Sequence, residues 1–120
     1  MVGLQVATSR LSSPRVRSAR ETLLGPAASS LLNPVREVLC EPTRTQIVRV
    51  LSAGPLSVGE IAAALNRSKS ATSQHLRVLR DGGVVAARRR GRAVIYSLVA
   101  SPMIDVTVQM LDRAATISAA

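Results

Sequence analysis

The sequence predicts a mainly α fold with one small β-hairpin, in the α+β class, and three features predict it. Residues 57–65 and 69–80 read as short helices separated by the turn formers Asn66-Arg67-Ser68. Residues 84–99 carry two runs of Val, Ile and Tyr around an Arg- and Gly-containing tip, which is a hairpin pattern. Apolar residues also recur at helical spacing on either side of this block.

Taken in order, residues 1–20 are rich in Ser and Arg without a sustained period, and they predict a flexible basic N-terminal arm. Such an arm suits phosphate attraction or a reach into a minor groove. Residues 21–120 form the rest, one domain by length. Residues 21–39 are helical in tendency but punctuated by Gly25-Pro26 and Asn33-Pro34, so the helix breaks near Asn33 or begins again there. Residues 42–52 form a helix with Ile47, Val48, Val50 and Leu51 inside and Arg44 and Arg49 outside. Ser57 and Glu60 make a capping box for the next helix, whose apolar face holds Val58, Ile61 and Leu65.

Ser68 caps the second helix, which turns Ala71, Leu76 and Leu79 inward. Gly82-Gly83 stop it, because glycine tolerates the positive φ needed after a helix end. The hairpin follows, and Pro102 opens a last helix to about residue 117. That order is a winged helix-turn-helix: helices 1 to 4, a two-stranded wing and a C-terminal helix. The last helix bears two apolar stripes, Ile104, Val108, Leu111 and Ala115, and Met103, Val106 and Met110. Two stripes need two partners, the chain's own core and a symmetry mate.

Charge is concentrated. The net charge is +9, with +4 on residues 1–20, +7 on residues 67–92 and −2 on the remainder. Basic charge over the second helix and the wing is the electrostatic footprint of a phosphate backbone. Phe and Trp are absent and Tyr96 is the sole aromatic residue, which disfavours readers of single strands or RNA that stack bases on rings. The start of the second helix presents Ser68, Lys69, Ser70, Thr72, Ser73, Gln74 and His75. Hydroxyls, an amide, an imidazole and an ammonium on one helix end suit base edges in a major groove. The wing presents Arg88, Arg89, Arg90 and Arg92, suited to phosphates or the minor groove. No signal peptide or membrane span is visible, and one cysteine fits a reducing cytoplasm.

Ser73-Gln74-His75-Leu76, Leu79, Gly83-Val84-Val85, the arginines 88–92 and Tyr96-Ser97-Leu98 resemble the ArsR-type bacterial winged-helix repressors. So does Leu39-Cys40-Glu41-Pro42-Thr43-Arg44. The likeness covers about residues 35–98. It implies a homodimeric repressor of double-stranded operator DNA, released by a metal ion or another signal, with the first helix helping to form the dimer. His75 occupies the family's Ser-x-His-Leu position, which implies DNA contact. The expected dimer interface comprises Leu31, Leu32, Val35, Ile104, Val108, Leu111 and Ala115.

The family's metal ligands are missing. Members that sense metal before the recognition helix carry Cys-x-Cys, where this chain has Glu60-Ile61-Ala62-Ala63-Ala64. Members that sense at the last helix carry Asp, His and Glu, where this chain offers only Asp105 and Asp112. Soft and borderline metals need imidazole or thiolate, so no metal or cofactor is expected. Cys40 is either a small buried hydrophobe or a thiol sensor of oxidants, leaving a redox or small-molecule effector open. With no phosphate loop and no nucleophile beside a base, an enzyme is not expected. The alternatives are an architectural DNA binder without sequence preference and a winged-helix module that binds protein.

Overall fold

The computed structural model describes residues 13–119. They divide into two compact groups, the boundary falling between residues 30 and 31. The first contains helix α1 (Pro14–Arg20) and most of α2 (Pro26–Leu31), neither of which buries a side chain. Ser13 caps α1 by accepting a hydrogen bond from the Val16 N–H at 3.2 Å, with Pro14 in the first turn. That cap and proline are start signals, so a helix occupies part of the stretch expected as an arm. Residues 1–12 of that arm lie outside the described residues.

The second group runs α3 (Asn33–Leu39), α4 (Pro42–Leu51), β1 (Leu56–Ser57), α5 (Val58–Leu65), α6 (Lys69–Asp81), β2 (Val85–Arg90), β3 (Ala93–Leu98) and α7 (Pro102–Ala119). The break before Asn33 is present, because α2 and α3 are separate helices joined at Leu32. Val38, Ile47, Val48, Leu51, Ile61, Leu76, Leu79, Val84 and Val85 form the core, closed by Ile104 and Leu111 from α7. Every helix from α3 to α7 contributes to it, so α6 rests on the whole group.

Local chemistry sets the ends. Ser57 and Glu60 form the capping box, with Ser57 Oγ accepting from the Glu60 N–H at 3.2 Å and Glu60 Oε1 from the Ser57 N–H at 2.9 Å. Asn66 ends α5 in the left-handed conformation at φ 54°. The Arg67 N–H then bonds the Ala62 carbonyl at 2.9 Å and the Asn66 N–H the Ala63 carbonyl at 3.2 Å, a Schellman motif. The same motif ends α6, where Val84 N–H reaches the Leu79 carbonyl at 2.8 Å and Gly83 takes φ 76°. Gly82 is needed for another reason: a Cβ there would lie 3.0 Å from Cγ of Glu37 on α3.

The wing is a hairpin with a third strand. Antiparallel pairing runs in the order β1-β3-β2, with Leu56 opposite Tyr96 and Ser57 opposite Ile95. Two residues are too few to show alternation, and β1 exists through its partner rather than its own pattern. Gly91 at φ 62° opens the two-residue turn between Arg90 and Ala93, as a primed hairpin turn requires.

Two inside-outside assignments change. Arg44, expected outside, is largely buried: its Nη1 donates to the Glu37 carboxylate at 2.8 Å and the Glu37 carbonyl at 3.1 Å, tying α4 to α3. Arg49 instead pairs with Asp112 across to α7, which accounts for one of the two last-helix acids. On α7 the stripe assigned to a partner is the one the core takes. Ile104 and Leu111 are buried with Thr107 between them, and Val108 packs against them. Ala115 lies beyond the core and is exposed. The side left outside carries Val106, Met110 and Ile117, at 51%, 43% and 64% exposure. The two stripes are about 120° apart on the helix, so contact with α3 and α4 uses one of them.

Candidate nucleic-acid interface

Helix α6 is N-capped by Ser68, whose Oγ accepts from the Ala71 N–H at 3.1 Å. Its buried residues are Thr72, Leu76 and Leu79, spaced i, i+4, i+7. Thr72 is therefore withdrawn from the reading set: it is 0% exposed and its hydroxyl donates to the Ser68 carbonyl at 2.8 Å. A β-branched methyl packs inward while the hydroxyl satisfies itself on the preceding turn. Ala71, placed inside by sequence, is exposed instead.

Ser68, Lys69, Ser70, Ser73 and Gln74 are all exposed. At 100° per residue, Ser70, Ser73 and Gln74 lie opposite the buried row, and Arg77 lies among them, one turn beyond Ser73. Arg77 is also exposed, and by composition alone it is one more positive charge among residues 67–92. Its spacing of seven from Ser70 was the available signal. Lys69 runs its stem across α5: a Cβ at Gly59 would lie 3.1 Å from Lys69 Cε. A residue larger than glycine would press on that stem.

His75 sits apart from this face. Its side chain is 27% exposed and turned toward α4, with Nδ1 3.8 Å from Glu41 Oε2. Glu41 is the N-cap of α4, accepting from the Arg44 N–H at 3.0 Å. Desolvation acts to raise the Glu41 carboxyl, but the Arg44 N–H, His75 and the groups of Thr43 outweigh it and hold it below the ordinary carboxylate value.

The wing arginines 88, 89, 90 and 92 are all exposed. Strand pleating divides them. Arg88 and Arg90 share a face with Ala86, Ile95 and Ser97, where with Pro55 they line a groove of about 730 Å³. Arg89 alternates to the face that holds Val85 and Tyr96. Three consecutive arginines thus charge both sides of one ribbon.

Cys40 is exposed at the end of α3, with Sγ 3.6 Å from Arg44 Nη1. The reading of Cys40 as a buried hydrophobe is not the one found. Leu32, Val35, Arg36 and Leu39 line an apolar groove of about 470 Å³ beside it, and Leu31 is exposed. Among the described residues no three His, Cys, Asp or Glu side chains are placed to hold a metal ion, and no helix is long and apolar enough to cross a membrane.

A family model described as the bacterial regulatory protein, arsR family, matches residues 41–87. The transcriptional repressor SdpR of Bacillus subtilis is 33% identical over 81 residues, 68% of this chain and 90% of that protein. The regulator NmtR of Mycobacterium tuberculosis is 40% identical over 78 residues, covering 65% of this chain and 62% of its own length. The chain thus spans just under two thirds of NmtR. Among solved structures, the homodimeric winged helix-turn-helix DNA-binding domain Mb0332 of Mycobacterium bovis matches with a TM-score of 0.63 and 27% identity, over 78% of this chain and 89% of that one. Proteins of this group are DNA-binding transcriptional regulators and not enzymes. With a capped recognition helix, a basic wing and these likenesses together, the chain belongs to the ArsR family of bacterial winged helix-turn-helix transcriptional regulators.

Proposed function

We propose that the protein is a cytoplasmic homodimeric repressor that binds a specific operator in double-stranded DNA. The observation that carries this reading is the face of α6 opposite the core, where Ser70, Ser73, Gln74 and Arg77 stand exposed in one row. In this reading that row meets base edges in the major groove, while Ser68 and Lys69 hold phosphates at the helix start. Arg88, Arg89, Arg90 and Arg92 take the adjacent backbone and minor groove from both faces of the wing. Residues 1–20 add basic charge ahead of the domain at 21–120.

The dimer rests on Val106, Met110 and Ile117 of α7 with Leu31, Leu32 and Val35. These apolar side chains gain by leaving water, and the neighbour Mb0332 is described as homodimeric. SdpR, a relative over 90% of its length, is a repressor, which supports repression here. Any effector is a small molecule or redox signal rather than a metal, since Glu60-Ile61-Ala62-Ala63-Ala64 and the last helix supply no thiolate or imidazole.

Selection of duplexes from random sequence by the full-length chain tests the reading. Enrichment of a two-fold symmetric sequence, with half-sites about one helical turn apart or a multiple of it, is the expected result. Binding without enrichment would establish an architectural role, and absence of binding would revive a protein-interaction module.

A further inference from the structure

We propose that His75 is a positioning residue that clamps the recognition helix to the N-terminus of α4 through Glu41, and that it does not read bases. The inference rests on the operator-binding reading for its consequence, and on geometry for its substance. His75 lies on the flank of α6, well away from the row of Ser70, Ser73, Gln74 and Arg77, and its Nδ1 is 3.8 Å from Glu41 Oε2. An imidazole turned to a carboxylate on another helix is not available to a base edge on the opposite side. The same Glu41 oxygen accepts the Arg44 N–H at 3.0 Å, so the carboxylate is fixed by the backbone of α4 before His75 meets it.

A second close approach lies between α6 and the same corner. At the far end of α6, Gly82 lies so close to Glu37 that a Cβ would come within 3.0 Å of Cγ. Glu37 in turn holds Arg44 at 2.8 Å. The α3–α4 corner therefore grips α6 at its middle, by His75, and at its end, by Gly82. The buried row of Thr72, Leu76 and Leu79 fixes where α6 lies on the core, and these two points bear on its orientation against the α3–α4 corner.

The clamp is electrostatic, so protonation of the imidazole strengthens it. The other charged and titratable groups on elements packed against α6 have partners of their own or lie on the wing strand. Glu37 and Cys40 are engaged with Arg44, and Arg36 bonds Asn33. Arg49 pairs with Asp112, Glu60 closes the capping box, and Arg88, Arg89 and Arg90 lie along the wing strand.

The test uses the full chain and a duplex enriched by it, with His75→Gln, Glu41→Gln and the double variant. Glu41→Gln keeps an oxygen to cap Arg44 and removes only the charge. Either single variant is expected to lower affinity for the duplex about three- to fivefold, the scale of a partly exposed ion pair. The double variant should lower it no further than either single one, and reselection with His75→Gln should return the same base preferences. Thermal unfolding without DNA gives an independent reading: the two substitutions should couple in a double-mutant cycle. A changed preference at one base pair in His75→Gln would make His75 a reader and overturn the proposal. So would absence of that coupling, whatever the DNA results. If no duplex is enriched yet the coupling appears, the clamp stands and the operator-binding reading falls.

Discussion

Helices α6 and α7 are built alike on one side and unlike on the other. Each turns one row into the same core, Thr72, Leu76 and Leu79 from the first and Ile104, Thr107 and Leu111 from the second. Each row even includes a threonine whose hydroxyl bonds back four residues, to Ser68 at 2.8 Å and Met103 at 2.7 Å. Beside that shared geometry, α6 displays serines, an amide and a guanidinium, whereas α7 displays Val106, Met110 and Ile117. Burial of the inner row fixes where a helix lies; the chemistry of the row left outside decides what it meets. A polar, cationic row gains from donors and acceptors in a groove. An apolar row gains from being covered.

The comparison breaks most severely at the inner rows. Leu76→Ala, at a fully buried position, is expected to cost ~2–5 kcal/mol of stability, read as a lowered denaturant midpoint. Leu111→Asp belongs to the same class, because a charge placed in the core has no partner there. Both variants should lose DNA binding through unfolding, which circular dichroism would register.

The outer row of α7 should behave differently. Met110→Asp or Val106→Asp alters a side chain at 43% or 51% exposure, so the helical signal and thermal midpoint of the protomer should change little. Sedimentation at micromolar concentration is expected to show the wild type as a dimer and these variants as monomers, with operator affinity falling as the second recognition helix is lost. A wild type that sediments as a monomer would remove the basis for the dimer.

Within α6 and the wing the contrast is between reading and holding. Gln74→Ala or Arg77→Ala is expected to lower the ratio of operator to random-duplex affinity, by ~1–3 kcal/mol for a well-placed base contact. Arg89→Ala or Arg90→Ala should lower both affinities together and reduce the salt slope by about 0.9 unit per lost phosphate contact. Titrations at several salt concentrations separate the two effects. If wing variants changed only the ratio, the roles would be reversed.

These contrasts also show where the sequence was informative. Ser57 with Glu60, Asn66, Ser68 and Gly82-Gly83 act through their immediate neighbours, and the ends they mark stand where sequence places them. The fold was legible because such signals are local. The choice of row on α7 was not: Ile104, Val108 and Leu111 repeat as well as Met103, Val106 and Met110, and packing against α3 and α4 decides between them. Thr72 and Ala71 reversed for the same reason, since hydropathy ranks alanine inside although threonine here satisfies its own hydroxyl. The Glu41–His75 approach joins residues 34 apart in sequence, and no periodicity announces it. Arg77 was legible by spacing and overlooked because it reads first as charge.

The smallest expected effect lies at the two helix starts that flank this machinery. Glu60 and Glu41 both cap through their carboxylates, and both titrate below the ordinary value of 4.5. For Glu60 the causes are the N–H and hydroxyl of Ser57, which outweigh desolvation. A carboxyl whose folded pKa is depressed stabilises the fold fully above its unfolded pKa and loses that contribution as pH falls through the folded one. Stability should therefore hold from neutral pH down to about pH 5 and decline below 4.5. Glu60→Gln preserves a capping side chain while removing the titration. Its urea midpoint should lie slightly under wild type at pH 7 and converge with it in acid, once pH has fallen through the folded pKa and the wild-type carboxyl is protonated. A gap of equal size at both pH values would show that the carboxylate charge contributes nothing and that the cap is held by hydrogen bonding alone.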